Sequence, residues 1–286
     1  MNKAGEKSKL EIPVWPDGAT ENNGITAPES TIDGVPGFGR ISNGIIANIS
    51  EASFRIYPAD SSKNTGLAIL ICPGGAYRIE AAEEEGNWMA EWFAENGITG
   101  IVLKYRLPNG HPEIPLKDTQ EAMRIIRNNA SAWGIAPNKI GICGFSAGGH
   151  LASTLLTHFD ETSRPDFGIL FYPRISLVGN SPGLINVRKT FLGKNAQNQE
   201  FIDYYSNNQQ VKENTPPSIL FVSDDDDVVP PENSLLFYQA LREKSISASL
   251  HIFPEGGHGW GFHKDFRYHE QVKALVWEWL KTQRFI

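Results

Sequence analysis

The stretch Leu67-Ala-Ile-Leu-Ile-Cys72 is an unbroken apolar run. It is too short for a buried helix, and the absence of polar alternation marks a strand covered on both faces, as in parallel sheets flanked by helices. Similar runs recur at residues 98–103, 140–143, 167–172, 219–222 and 250–253. Helix-length segments lie between them. Residues 81–96 are amphipathic and stop at Gly97; a second helix begins near Pro115 and carries Met123, Ile126 and Ala130 at helical spacing before Gly134. Others are predicted over 147–158, 231–244 and 269–281. Residues 45–49 and 54–57, broken by polar positions and ended by Pro58, are predicted as strands at one edge of a sheet.

This alternation predicts the α/β class: a mostly parallel central sheet with helices on both faces, and ligands bound beyond the carboxyl ends of the strands. Residues 1–40, rich in Gly, Pro, Asn and Thr, show neither period and are expected to form an extended arm before a single domain over 41–286. Between Tyr172 and Ile219 the chain spends roughly 45 residues, far more than the usual 2 to 6 of such loops. An insertion at about 174–215 is therefore expected to form a small cap over the site.

Composition narrows the functional classes. The 286 residues are 40% hydrophobic and 21% charged, and 26 basic against 33 acidic side chains give a net charge of −7. That excludes collagen-like and disordered chains, and it argues against a nucleic-acid or anionic-membrane partner. Only Cys72 and Cys143 occur, both in apolar runs, so no zinc pattern exists and no metal is expected. The start, Met1 to Leu10, is polar and lacks the apolar core of a signal peptide. Localisation stays open between cytoplasmic and, for a trimmed form, periplasmic or secreted. Oligomeric state is also open.

The chemistry concentrates in post-strand loops. Gly144-Phe145-Ser146-Ala147-Gly148 is a G-x-S-x-G between a predicted strand and a predicted helix, the context of a nucleophile elbow. Flanking glycines are needed there because side chains would collide with neighbouring strands, and Ser146 would stand at a helix N-terminus that favours developing negative charge. A serine hydroxyl needs a base, and the base an orienting acid, in the chain order Ser, Asp or Glu, His. Ser223-Asp224-Asp225-Asp226-Asp227 follows the run at 219–222, and Gly256-Gly257-His258-Gly259 follows the last strand. His258 is the post-strand loop histidine flanked by glycines; His111 and His263 are the other loop histidines, whereas His150, His158 and His269 read as helical and His251 as a strand residue. Pro73-Gly74-Gly75-Ala76-Tyr77 offers unencumbered backbone for an oxyanion hole formed by Gly74, Gly75 and Ala147.

From about Trp15 to Leu280 the chain resembles the α/β-hydrolase superfamily and, within it, bacterial carboxylesterases of the acetylxylan esterase type. The carriers are Cys72-Pro-Gly-Gly-Ala-Tyr77, Leu103-Lys-Tyr-Arg-Leu107, Trp133-Gly-Ile, Gly144-Phe-Ser-Ala-Gly-Gly-His150, Arg164-Pro-Asp-Phe167, Asp226-Asp-Val-Val-Pro-Pro-Glu-Asn-Ser234 and Gly256-Gly-His-Gly259. The resemblance implies a Ser146-His258-Asp226 triad, because the family's acid stands four positions before the proline of D-x-x-V-P; Asp225 is the reserve. It departs at Ala76, where relatives commonly carry a third glycine.

The implied activity is cofactor-free hydrolysis of short acyl esters, with an acetylated xylan-type oligosaccharide or small ester as substrate. A glycosidase would need two opposed carboxylates instead. The alternatives are a prolyl-oligopeptidase-like peptidase and a non-catalytic binder. Arg106 and Glu85 are expected to hold the oxyanion loop, and Trp88, Trp92 and Phe93 to be core. Tyr77, Trp260 and Phe262 stand as candidate substrate-binding aromatics. Cys72 and Cys143 end strands that neighbour each other in this fold, so a disulfide is conceivable, with two buried thiols favoured. The segment 174–215, with Arg188, Lys189 and Lys194 near Phe191 and Leu192, is expected to give a polar, partly aromatic rim that affects bulky substrates chiefly through KM.

Overall fold

A computed structural model describes residues 11–34 and 42–286. The polar start at 1–10 and the end of the predicted arm at 35–40 lie outside the described residues. In chain order the strands are β1 (Glu11–Pro13), β2 (Ser30–Ile32), β3 (Ile45–Ala47), β4 (Ser53–Tyr57), β5 (Ala68–Cys72), β6 (Ile79–Ala81), β7 (Thr99–Lys104), β8 (Ile140–Phe145), β9 (Gly168–Phe171), β10 (Ser218–Ser223) and β11 (Ala248–Phe253). The helices are α1 (Trp88–Glu95), α2 (Glu113–Asn129), α3 (Ser146–His158), α4 (Pro182–Leu192), α5 (Gln199–Tyr204), α6 (Glu232–Glu243) and α7 (His269–Thr282).

The six apolar runs are the parallel strands β7-β5-β8-β9-β10-β11, in that spatial order. Along β5 the side chains alternate between two cores. Ala68, Leu70 and Cys72 face a cluster that includes Met123 of α2, Leu151 and Leu155 of α3 and Phe237 of α6. Ile69 and Ile71 face Met89 and Phe93 of α1 and Val276 and Leu280 of α7. Helices thus cover both faces, and burial on both sides explains the missing polar alternation. Cys72 and Cys143 are buried free thiols. Among the described residues, no helix is long and apolar enough to cross a membrane.

The chain before β5 departs from expectation. Strand β4 pairs antiparallel with β7, and β1, from the predicted arm, pairs antiparallel with β4 and extends the main sheet to eight strands. Strand β3 is not part of that edge: with β2 and β6 it makes a separate three-stranded antiparallel sheet. These pairings depend on edges supplied by distant strands, which leave no local period. Arg106 fastens the arm rather than the oxyanion loop. Its guanidinium pairs with buried Asp118 (Nη2 to Oδ1, 2.6 Å) and donates to the Glu21 carbonyl, while Trp15 Nε1 donates to the same carboxylate at 2.7 Å.

The segment predicted as one helix over 81–96 is split. Strand β6 ends at Ala81, a turn of π-helix spans Glu83–Asn87, and α1 begins only at Trp88. Glu84, Glu85 and Gly86 are buried in the turn. A side chain at Gly86 would place its Cβ 2.8 Å from Val102 Cγ1, so the turn lies directly on β7.

Candidate active site

Strand β8 ends at Phe145 and α3 begins at Ser146, whose φ of +51° is rare for a residue with a side chain. Glycines make the turn possible. A Cβ at Gly144 would lie 2.2 Å from the Gly148 carbonyl oxygen within the elbow itself, and one at Gly148 would lie 2.1 Å from the Cys72 carbonyl oxygen on β5. The predicted clash with a neighbouring strand therefore holds at Gly148, whereas at Gly144 the obstacle is the turn's own backbone.

The hydroxyl of Ser146 lies 2.8 Å from Nε2 of His258, and Nδ1 of His258 lies 2.7 Å from Oδ2 of Asp226. The Asp226 side chain is fully buried, and its other oxygen accepts the N–H groups of Val228 and Val229 at 3.0 and 2.8 Å. Those two bonds fix the carboxylate, and with it the tautomer that leaves Nε2 free to accept a proton from Ser146. Asp225 instead accepts from the N–H groups of Gly256 and Gly257, at the base of the His258 loop. Asp224 points to solvent.

The expected oxyanion loop follows β5. Tyr105 Oη donates to the Pro73 carbonyl at 2.8 Å, Ala81 N–H to the Gly74 carbonyl, and Ile79 N–H to the Gly75 carbonyl. Gly74 is a correction: its N–H donates to Oε2 of Glu85 at 2.7 Å and is unavailable to a substrate. Gly75 N–H makes no hydrogen bond among the described residues, and Ala147 lies in the first turn of α3, where N–H groups lack intrahelical acceptors. Glu85 is fully buried, and burial raises its carboxyl from the ordinary range to about 7 against the opposing hydrogen bond from Tyr172.

The aromatic candidates are also corrected. Tyr77, Trp260 and Phe262 are 2%, 0% and 5% exposed, so none offers a face to a sugar ring. The Tyr77 ring stacks on Phe191 and its hydroxyl meets His150; Trp260 stacks on Phe266 and donates to Ser223 Oγ; Phe262 packs against Trp92 and His269. Loops at the site turn these rings back into the core. Phe191, Leu192 and Arg188 are buried too, which removes them from the expected rim.

Sequence reasoning passed over Tyr172, which directly follows β9 with a φ of +34° and packs edge-on against the His258 ring at 4.8 Å. Ala76, Tyr77, Ser146 and Tyr172 all adopt positive φ around one site, the clustering expected of strain held by a functional framework. The signal at Tyr172 is an aromatic residue closing an apolar run directly before Pro173.

Sheet order, strand-to-helix elbow and post-strand site together define an α/β-hydrolase fold. The chain belongs to the prolyl oligopeptidase family, whose sequence profile matches residues 111–284. It is 40% identical over 224 residues to an acetylxylan esterase of Xylanibacter ruminicola, covering 76% of this chain and 46% of that protein. It is also 40% identical over 206 residues to endo-1,4-beta-xylanase B of Butyrivibrio fibrisolvens, covering 67% and 32%. The chain thus spans less than half the length of these two relatives. Among solved structures, the acetyl ester-xyloside bifunctional hydrolase of Caldicellulosiruptor lactoaceticus matches with a TM-score of 0.79 and 34% identity over 97% of both chains.

Proposed function

We propose that this chain is a serine carboxylesterase that removes short acyl groups, acetyl foremost, from xylan-type oligo- or polysaccharide. The observation that carries the reading is the continuous hydrogen-bond line Ser146–His258–Asp226 at 2.8 and 2.7 Å. His258 takes the Ser146 proton as Oγ attacks the ester carbonyl, and the N–H groups of Gly75 and Ala147 stabilise the oxyanion. His258 then protonates the departing alcohol. Water, deprotonated by the same imidazole, cleaves the acyl-enzyme and restores Ser146. The acetyl-xylan substrate class is supported by the names of the esterase and of the full-length structural neighbour. A glycosidase reading draws no support from Asp226, whose oxygens are held by His258 and by backbone N–H groups.

The test compares acetate release from acetylated xylan with turnover of p-nitrophenyl acetate, p-nitrophenyl butyrate and a proline-containing peptide anilide. Release of acetate with weak butyrate and no anilide cleavage is the expected result. Cleavage of the anilide alone would replace the esterase by a peptidase, and no turnover with no labelling of Ser146 by an organophosphonate would indicate a non-catalytic protein.

A further inference from the structure

The π-helical turn Glu83–Asn87 fastens backbone from both loops that flank Ser146. On one side Gly74 N–H donates to Glu85 Oε2 at 2.7 Å. On the other, Tyr172 Oη donates to Glu85 Oε1 at 2.8 Å and accepts the N–H of Gly261 at 2.7 Å. Gly261 lies three residues beyond His258. The next N–H, of Phe262, donates to the Glu84 carbonyl at 2.8 Å. A helix of this type inserts one residue per turn and so redirects side chains, and such turns recur at functional sites.

We propose, building on the esterase reading, that Glu85 as a carboxylate anion is a positioning residue that locks the oxyanion loop and the His258 loop to each other. Both of its oxygens face donors. Tyr172 uses its oxygen to accept from Gly261, so its proton is committed to Glu85, and Gly74 N–H has only a hydrogen to offer. The ionised carboxylate satisfies both donors. A protonated carboxyl, or a glutamine amide, turns hydrogen toward one of them and releases one loop. The titratable groups that act on Glu85 are Tyr172 and His258 from other elements and Glu84 from its own turn; Tyr105 and Cys143 feel its charge in return. Burial holds the proton equilibrium of this carboxyl near 7.

The experiment measures kcat and KM for p-nitrophenyl acetate from pH 5 to 9 with the full chain as wild type, Glu85→Gln, Tyr172→Phe and the double variant. Glu85→Gln is expected to lower kcat about 10²-fold, as a misplacement of about 1 Å does, with KM within threefold. Tyr172→Phe lowers it about tenfold, and the double variant is no worse than Glu85→Gln because both cut one linkage. The acid limb of the wild-type kcat/KM profile carries two protons, and Glu85→Gln reduces it to one. A kcat in Glu85→Gln within threefold of wild type overturns the proposal, as do losses that multiply in the double variant or an acid limb of unchanged steepness. Should Glu85→Gln not fold, Tyr172→Phe decides: an unchanged kcat overturns the proposal. A wild type that neither turns over the ester nor takes an organophosphonate at Ser146 overturns the esterase reading and this proposal together, whereas an active wild type beside an equally active Glu85→Gln overturns this proposal alone.

Discussion

The hydroxyl of Tyr77 lies 2.7 Å from Nδ1 of His150, and Nε2 of the same imidazole lies 2.8 Å from the carbonyl oxygen of Tyr205. A carbonyl can only accept, so Nε2 carries the hydrogen and Tyr77 donates to Nδ1. Tyr77 belongs to the loop after β5, His150 to the helix that begins at Ser146, and Tyr205 to the long segment after β9. Phe191 from that segment stacks on Tyr77 at 4.5 Å and packs edge-on against His150 and Tyr205.

The segment therefore braces the loop after β5, the proposed oxyanion loop, in addition to any contact with substrate. Replacing residues 182–205 by a short flexible linker is expected to lower kcat/KM for acetylated xylo-oligosaccharide and for p-nitrophenyl acetate alike, measured side by side. Phe191→Ala should do the same more mildly and lower the unfolding free energy by about 3 kcal/mol in urea titration. A loss confined to the oligosaccharide would restore the picture of a rim that acts only on bulky substrates.

Two buried groups titrate in opposite senses. Burial raises Glu85 to about 7 and lowers His150 from 6.5 to about 4. Glu85 contributes stability that is complete below 4.5 and lost as pH rises through about 7. His150 contributes stability present above 6.5 and lost as pH falls through about 4. Each effect is on the order of 3 kcal/mol, so their slopes nearly cancel between about pH 4.5 and 6.5, where the two windows overlap. Urea unfolding across that range should show Glu85→Gln gaining stability with rising pH and His150→Asn losing it. Parallel pH dependences in the two variants would contradict the assignment.

Neutralising the acid separates neighbours in the aspartate run. Asp226→Asn is expected to lower kcat about 10⁴-fold, the size of effect seen when a triad acid can no longer fix its histidine. Asp225→Asn, which loosens the N–H groups of Gly256 and Gly257, should cost about tenfold through mobility of the His258 loop, within the range that small misplacements cause. Asp224→Asn should leave kcat unchanged. Steady-state kinetics on p-nitrophenyl acetate reads all three, and an Asp225→Asn loss larger than that of Asp226→Asn would shift the register by one.

Ser146 holds a backbone conformation that favours glycine. Ser146→Ala and Ser146→Gly should both remove about 10⁶ in rate. Only the glycine variant relieves the left-handed strain, which is worth about 1 kcal/mol. Its thermal midpoint should rise above that of Ser146→Ala; equal midpoints would mean that the elbow carries no strain.

The parallel strands were legible because burial on both faces leaves a compositional trace, as in Ala68–Cys72. The elbow was legible because its glycines answer a steric demand within five residues. Other features leave weaker traces. Strand β1 exists because β4 has a free edge 40 residues away, and β6 is three residues long. The turn at Glu83–Asn87 buries Glu84 and Glu85, against the rule that acids face solvent, so its break from α1 was hidden inside the single amphipathic helix expected over 81–96, although Glu85 was expected to hold the oxyanion loop. Tyr77, Trp260 and Phe262 are near the site along the chain, but direction is set by the curl of each loop. The positive φ of Ala76 and Tyr77 turns that loop inward, and nothing in their side chains announces it.

The glycines around Ser146 bear on how such a site can be remodelled. A Cβ at Gly74 would meet Glu85, the Phe145 carbonyl and Ser146 Cβ at 2.5, 2.7 and 3.0 Å; at Gly75 it would meet the Ile79 carbonyl at 2.1 Å, and at Gly148 the Cys72 carbonyl at the same distance. Most of these obstacles are backbone and cannot rotate aside. Libraries that diversify these three positions would return inactive or unfolded proteins, so a search for altered acyl or sugar preference has to draw its variation from the surface of the segment after β9 and from the exposed residues beside Asp226.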